Sequence, residues 1–187
     1  MATLTPNPAT LDDLLLVREK AELIAGRIVY FMASGEEHGN VSLEIAYRLK
    51  QYVKQTGHGR AYGDNVGFAL GTPVTSGRLS FSPDAGFRDG TPAVKNFKFV
   101  SGAPTFAVEV RSEGDYSPKG EREMAEKRAD YFEAGTLVVW DVDPIAETVA
   151  RYTAANPLTP VVFRRGEVAD AEPAVPGWRL PVDDIFA

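Results

Sequence analysis

The chain has 187 residues, 44% hydrophobic and 25% charged, the composition of a globular protein with room for one domain and a real core. It contains no cysteine, which excludes disulfides and thiolate metal sites, and no apolar run long enough to span a membrane. A net charge of −6 argues against broad, non-specific nucleic-acid binding, but it is compatible with a local basic patch or with carboxylates grouped around a divalent cation.

The start, MATLTPNPATLDD, lacks the basic segment and apolar core of a secretory signal, so a cytoplasmic location is expected. Thr10 followed by Asp13 resembles a capping box and predicts a short helix through about Glu19. Residues 1–20 are thus expected to form a helical extension, and 21–187 the core of a single domain. AELIAGRIVYFM reads as two strands around a turn at Ala25-Gly26. A second helix is predicted from an Asn40 cap to a Gly57 stop, with Val41, Ile45, Leu49, Tyr52 and Val53 as its apolar stripe.

Between Arg60 and Phe87 the pattern is strand-like and broken by Gly and Pro. GDNVGFAL is expected as one strand, GTPVTSG as a turn region and RLSFSPDAGF as another strand. DGTPAVKNFKFVSGAP reads as a loop with short helical turns. TFAVEVRS alternates Phe106, Val108 and Val110, the mark of a strand that buries one face. SPKGEREMAEKRADYFEAG is a helix with Ser117 as cap, Pro118 at the first position and Gly135 at the stop. TLVVWDVDP follows as an apolar strand. Strand, helix and strand in this order predict a parallel pair with a crossover helix. ETVARYT and PVVFRRGEVADA read as further strands.

Three polar positions do not fit a solvated surface. Glu109 lies mid-strand between apolar neighbours, where a carboxylate is costly unless paired or metal-bound. Asp84 follows Pro83 near a strand end; it either caps the turn before Gly86 or ligates a cation. Lys127 shares a helical face with Met124 and Tyr131, and it either reaches solvent, pairs with Glu123, or is aimed at a carboxylate. One arrangement uses all three. Two carboxylates at neighbouring strand ends can hold Mg²⁺, and a lysine beside them can orient water or stabilise charge on a phosphate. The competing reading is a buried Glu109–Lys127 ion pair without catalysis. No P-loop, dinucleotide fingerprint or nucleophile elbow is present, and two histidines without cysteine make a poor zinc site.

Pro-Asp at 83–84, E-x-x-S at 109–112, Lys127 and Tyr131 on the next helix, and WDVDP at 140–144 together resemble the Uma-two family of restriction-endonuclease-like proteins, within the PD-(D/E)XK nuclease superfamily. The resemblance extends to ELIAGRIVYF, GEEHGN, APTFAVEVRSEGDYSPKG and GWRLPVDDIF, in order from residue 22 to residue 186. It implies an α/β fold with a mixed sheet, an αβββαβ nuclease core with added strands on both sides. It implies Asp84 and Glu109 as ligands of Mg²⁺ or Mn²⁺, and DNA as substrate. The superfamily places a lysine two residues after the glutamate. Here that slot is Arg111, which cannot act as a base and is expected as an auxiliary group that contacts phosphate or stabilises charge. The family's lysine on the following helix matches Lys127.

Four neighbours of the site are weaker candidates. The resemblance has a histidine at His38, which would face the core if the second helix began a turn early. Glu44 can support a metal in related nucleases, or simply pair with Arg48. Ser112 holds either Glu109 or its own loop, and Tyr131 is core or site. Lys95, Lys98, Lys119, Arg122 and Arg128 are candidate DNA contacts or a solvated face. The expected activity is a Mg²⁺- or Mn²⁺-dependent DNA endonuclease, with a homodimer to cut two strands. The alternative is a catalytically inactive binding or scaffold protein with a nuclease fold.

Overall fold

The computed structural model describes residues 7–90 and 98–187. The chain opens with helix α1, Leu11–Leu15, and the reciprocal Thr10–Asp13 capping box is present. The helix stops short of Glu19 because only Leu14 is buried, so no apolar face exists to carry it further. Strands β1 (Ala21–Ile24) and β2 (Arg27–Tyr30) form an antiparallel hairpin. Ala25 and Gly26, with φ of 47° and 70°, make its two-residue turn.

Helix α2 runs from Glu36 to Thr56, with Gly35 as its N-cap. It therefore starts before Asn40, the expected cap. Glu36 and Glu37 in the first turn suit the positive end of the helix. The early start brings His38 into the helix, on the buried stripe of Val41, Ser42, Ile45 and Leu49. Gly57, at φ 68°, ends the helix as expected.

Strands β3 (Arg60–Tyr62), β4 (Phe68–Ala69), β5 (Ser80–Phe81), β6 (Ala85–Arg88), β7 (Val100–Ser101) and β8 (Phe106–Val110) follow. GDNVGFAL contributes only two paired residues, because Asp64 and Asn65 form a turn with Asn65 at φ 63°. RLSFSPDAGF is likewise divided. β5 pairs with β4 in a small three-stranded sheet with β7, whereas β6 joins the main sheet. Pro83 lies at the break, where it has no N–H to offer a ladder. A 3₁₀ turn at Glu113–Tyr116 leads into helix α3, Pro118–Glu133, capped by Ser117. Strands β9 (Val138–Asp143), β10 (Thr148–Thr153), β11 (Asn156–Arg164), β12 (Val168–Asp170) and β13 (Arg179–Pro181), then helix α4 (Val182–Ile185), complete the chain.

Among the described residues, six strands form the main sheet in the order β11-β10-β9-β8-β6-β3. Only β8 and β9 are parallel within it, and α3 is their crossover. The sequence α2-β3-β6-β8-α3-β9 is the expected αβββαβ core, with β1–β2 added before it and β10–β13 after it. One face of the sheet carries Phe106, Val108, Val110, Trp140 and Val142, which pack on Val41, Ile45 and Leu49 of α2. The other carries Ala107 and Val139, which pack with Phe68, Phe81 and Tyr131 of α3. Glu109 has the parity of Ala107 and so belongs to this second face. No helix of the described residues is long and apolar enough to cross a membrane.

Candidate active site

The site forms where β8 ends and β6 begins. Their register, Ala85 opposite Val108, continues one step through Asp84 N donating to Val108 O at 3.0 Å. Asp84 and Glu109 therefore stand on neighbouring strands at the next rung. The ladder is broken at this step: the Val110 amide donates to Asp84 Oδ2, at 2.8 Å, in place of a strand carbonyl.

Asp84 is 4% exposed and fully partnered. Oδ2 also accepts from His38 Nε2 at 3.1 Å, and Oδ1 accepts from Lys20 Nζ at 2.6 Å. A carboxylate only accepts, so Nε2 of His38 carries the hydrogen. Burial alone would raise the Asp84 carboxyl; the His38 hydrogen bond and the Lys20 charge outweigh it and hold it well below the usual range. The same contact raises His38 against the downward pull of its own burial.

Glu109 is held by α3. Lys127 Nζ donates to its Oε2 at 2.8 Å, and the Tyr131 hydroxyl to its Oε1 at 2.6 Å. Tyr131 is fully buried and stacks on Phe81, ring centroids 4.1 Å apart, which fixes where that hydroxyl points. Burial raises the Glu109 carboxyl; Lys127 opposes this, but the negative charges of Asp84 and Glu22 add to it, and the group ends above its ordinary value. Lys127 is driven the other way. Burial would lower its ammonium, yet Glu109 and Glu22 together keep it firmly protonated.

Glu22, on β1, completes the cluster. It is fully buried. Oε1 lies 3.2 Å from Lys127 Nζ and accepts from Ser82 N at 2.9 Å, and Oε2 pairs with Arg78. Arg78 in turn donates through Nε to Asp130 of α3 at 2.8 Å. Glu22 is not among the candidates named from the sequence, although the signal that singles out Glu109 applies to it equally: a carboxylate inside a strand between Ala21 and Leu23. Lys20 and Asp64, 2.6 Å apart, carry no such signal, because neither lies between apolar neighbours in a strand pattern.

Other candidates lie elsewhere. The Arg111 guanidinium forms a two-point contact with Asp141, Nε to Oδ1 at 2.7 Å and Nη2 to Oδ2 at 3.0 Å, and also pairs with Glu121. It is a clamp between the end of β8, β9 and α3. Arg128 shares Asp141 at 3.0 Å and lies over the Tyr152 ring at 4.3 Å, which ties it into the fold. Ser112 caps the 3₁₀ turn through Asp115 at 2.7 Å and so holds its own loop. Glu44 pairs with Arg48 at 2.6 Å on the surface of α2. Lys119 is exposed and lies 3.3 Å from Glu123; Arg122 is exposed. Lys98 is also exposed, and Lys95 lies outside the described residues.

Among the described residues, no group of three or more His, Cys, Asp and Glu side chains is placed to hold a metal. Mg²⁺ and Mn²⁺ are hard cations that can be held by one or two carboxylates, with water and substrate oxygens completing the shell. Asp84 and Glu109 fit that mode: two hard oxygen donors on adjacent strands, one of them raised by burial and by its negative neighbours, an effect that an added cation would oppose.

The model of the Uma2 family, described as "Putative restriction endonuclease", matches residues 11–183. A solved structure described as "a putative nuclease belonging to DUF820" from Anabaena variabilis superposes with a TM-score of 0.74 at 22% identity, covering 96% of this chain and 98% of that one. At that identity the likeness concerns the fold. No curated protein matches the chain.

Proposed function

The chain belongs to the Uma2 family of restriction-endonuclease-like proteins, and from that premise we propose that it is a divalent-metal-dependent endonuclease that hydrolyses DNA phosphodiester bonds. The observation that carries this reading is the meeting of Asp84, Glu109 and Lys127 at the carboxyl end of the parallel pair, with Lys127 Nζ 2.8 Å from Glu109. In open sheets with crossover helices, such strand ends are where ligands bind.

Asp84 and Glu109 would hold Mg²⁺ or Mn²⁺, which when bound polarises a phosphate oxygen and lowers the pKa of a coordinated water. His38 and the Val110 amide fix the Asp84 carboxylate, so its Oδ1 is presented rather than free to rotate. The Tyr131 hydroxyl likewise limits rotation of the Glu109 carboxylate by bonding its Oε1. Lys127 stays protonated, so it suits the stabilisation of charge on the phosphate oxygens rather than removal of a proton. Arg111 serves the site at one remove, by anchoring the strand end that carries Glu109. Cleavage of both strands would bring two copies together about a two-fold axis.

A second reading is a catalytically inactive binding or scaffold protein. It draws on one observation: both oxygens of Asp84 and of Glu109 already have partners within the chain. Nicking of supercoiled plasmid by wild type and Glu109→Gln, with Mg²⁺, Mn²⁺ or EDTA, separates the two. The endonuclease reading expects nicking that needs metal and is lost in the variant. Protein that takes up no metal and cuts no DNA would favour the scaffold.

A further inference from the structure

Lys20 lies just before β1, outside the αβββαβ core, yet its ammonium reaches into the site. Nζ is 2.6 Å from Asp84 Oδ1 and 2.6 Å from Asp64 Oδ1. Asp84 Oδ2 is already taken by His38 and the Val110 amide, so Oδ1 is the oxygen on offer to a cation, and Lys20 sits on it. An ammonium and a divalent ion held against one oxygen repel each other strongly at such distances, so cation binding favours a lysine that has moved away. Asp64 differs from Asp84. It lies in the turn after β3 with 46% of its side chain exposed, and it takes no part in the carboxylate pair. Lys20 therefore has a second carboxylate to retreat to, without leaving its place.

The same three-part layout recurs at the other carboxylate. Lys127 bridges Glu109, at 2.8 Å, and Glu22, at 3.2 Å. Each carboxylate of the pair thus shares a lysine with a carboxylate that stands outside the pair.

We propose that Lys20 is a displaceable counter-ion: it neutralises Asp84 in the metal-free protein and moves wholly onto Asp64 when a divalent cation binds. This rests on the reading of Asp84 as a metal ligand. Lys20 then sets the affinity for the cation, and Asp64 matters only through Lys20.

The test is direct Mn²⁺ binding to the full chain, followed by the electron paramagnetic resonance signal of free Mn²⁺, for wild type, Lys20→Met, Asp64→Asn and the double variant. Lys20→Met is expected to bind Mn²⁺ about tenfold more tightly, and Asp64→Asn about tenfold more weakly, the scale of coupling between contacting charges. In the Lys20→Met background, Asp64→Asn is expected to change little. Unchanged or weaker binding by Lys20→Met would overturn the proposal, as would an Asp64→Asn effect of equal size in both backgrounds. Asp64 is exposed, so Asp64→Asn is readable even where Lys20→Met does not fold; unaltered affinity in that variant alone is also contrary. A wild type that binds no Mn²⁺ would overturn the metal reading of the site itself, a different result from Mn²⁺ binding that ignores Lys20.

Discussion

Glu22 and Glu109 share one ammonium group: Lys127 Nζ lies 3.2 Å from the first and 2.8 Å from the second. The first belongs to the N-terminal hairpin and the second to a central strand, so the ion pair ties an added element to the nuclease core. Glu22, itself fully buried, also receives Arg78 and the Ser82 amide, both on buried residues. Glu22→Gln would leave Arg78 short of a charge partner in a buried place. A loss of about 3–5 kcal/mol in stability is expected, the usual result of removing one member of a buried pair. Urea denaturation measures it; a loss under about 1 kcal/mol, the range of exposed pairs, would contradict the structural role.

Acid stability should depend on the same carboxylate. Burial alone would raise Glu22, but Lys127, Arg78 and the Ser82 amide hold it below its ordinary value of 4.5. The unfolded chain therefore takes up this proton at higher pH than the folded one. The stability it contributes is complete above about pH 4.5 and is lost as pH falls through the lower folded value. Unfolding free energies between pH 7 and pH 3 should fall more steeply for wild type than for Glu22→Gln. Parallel curves would contradict the assignment.

Metal should stabilise the fold. At a hundredfold excess over Kd, a ligand specific to the native state adds about 2.7 kcal/mol. For a chain of this size that is a rise of about 5–10 °C in Tm. The rise is expected with Mn²⁺ for wild type and expected to vanish in Glu109→Gln. Equal shifts in both proteins would place the ion somewhere else.

Arg111 lies two residues after Glu109, and its side chain is bound to Asp141 and Glu121. Arg111→Lys keeps the charge but loses the planar two-point contact. A stability loss of about 1.5–3 kcal/mol is expected, as for other hydrogen bonds to charged groups, with metal-dependent nicking retained. Loss of nicking at unchanged stability would make Arg111 part of the chemistry.

Much of this layout is legible in the residues. The alternation around Glu109, the Ser117-Pro118 start of α3 and the parallel pair on either side of it follow from local periodicity and capping, which do not depend on distant contacts. Boundaries were less legible. α2 is capped at Gly35 rather than Asn40 because Glu36 and Glu37 suit the helix dipole and His38 has Asp84 to bond, a partner 46 residues away. RLSFSPDAGF splits because Ser82 N is taken by Glu22, a contact 60 residues away. Lys20, Asp64 and Arg78 become part of the cluster only through tertiary contacts of this kind. Glu22 is the exception, since its place between Ala21 and Leu23 poses the same question as Glu109.

The most direct measurement is nicking of supercoiled plasmid by wild type and Glu109→Gln, purified in parallel, in Mg²⁺, in Mn²⁺ and in EDTA. Nicking by wild type that requires the metal and is absent in the variant is expected, and would mean that Glu109 stands in its strand to hold a cation. Equal nicking by the two proteins, or nicking that survives EDTA, would contradict that role.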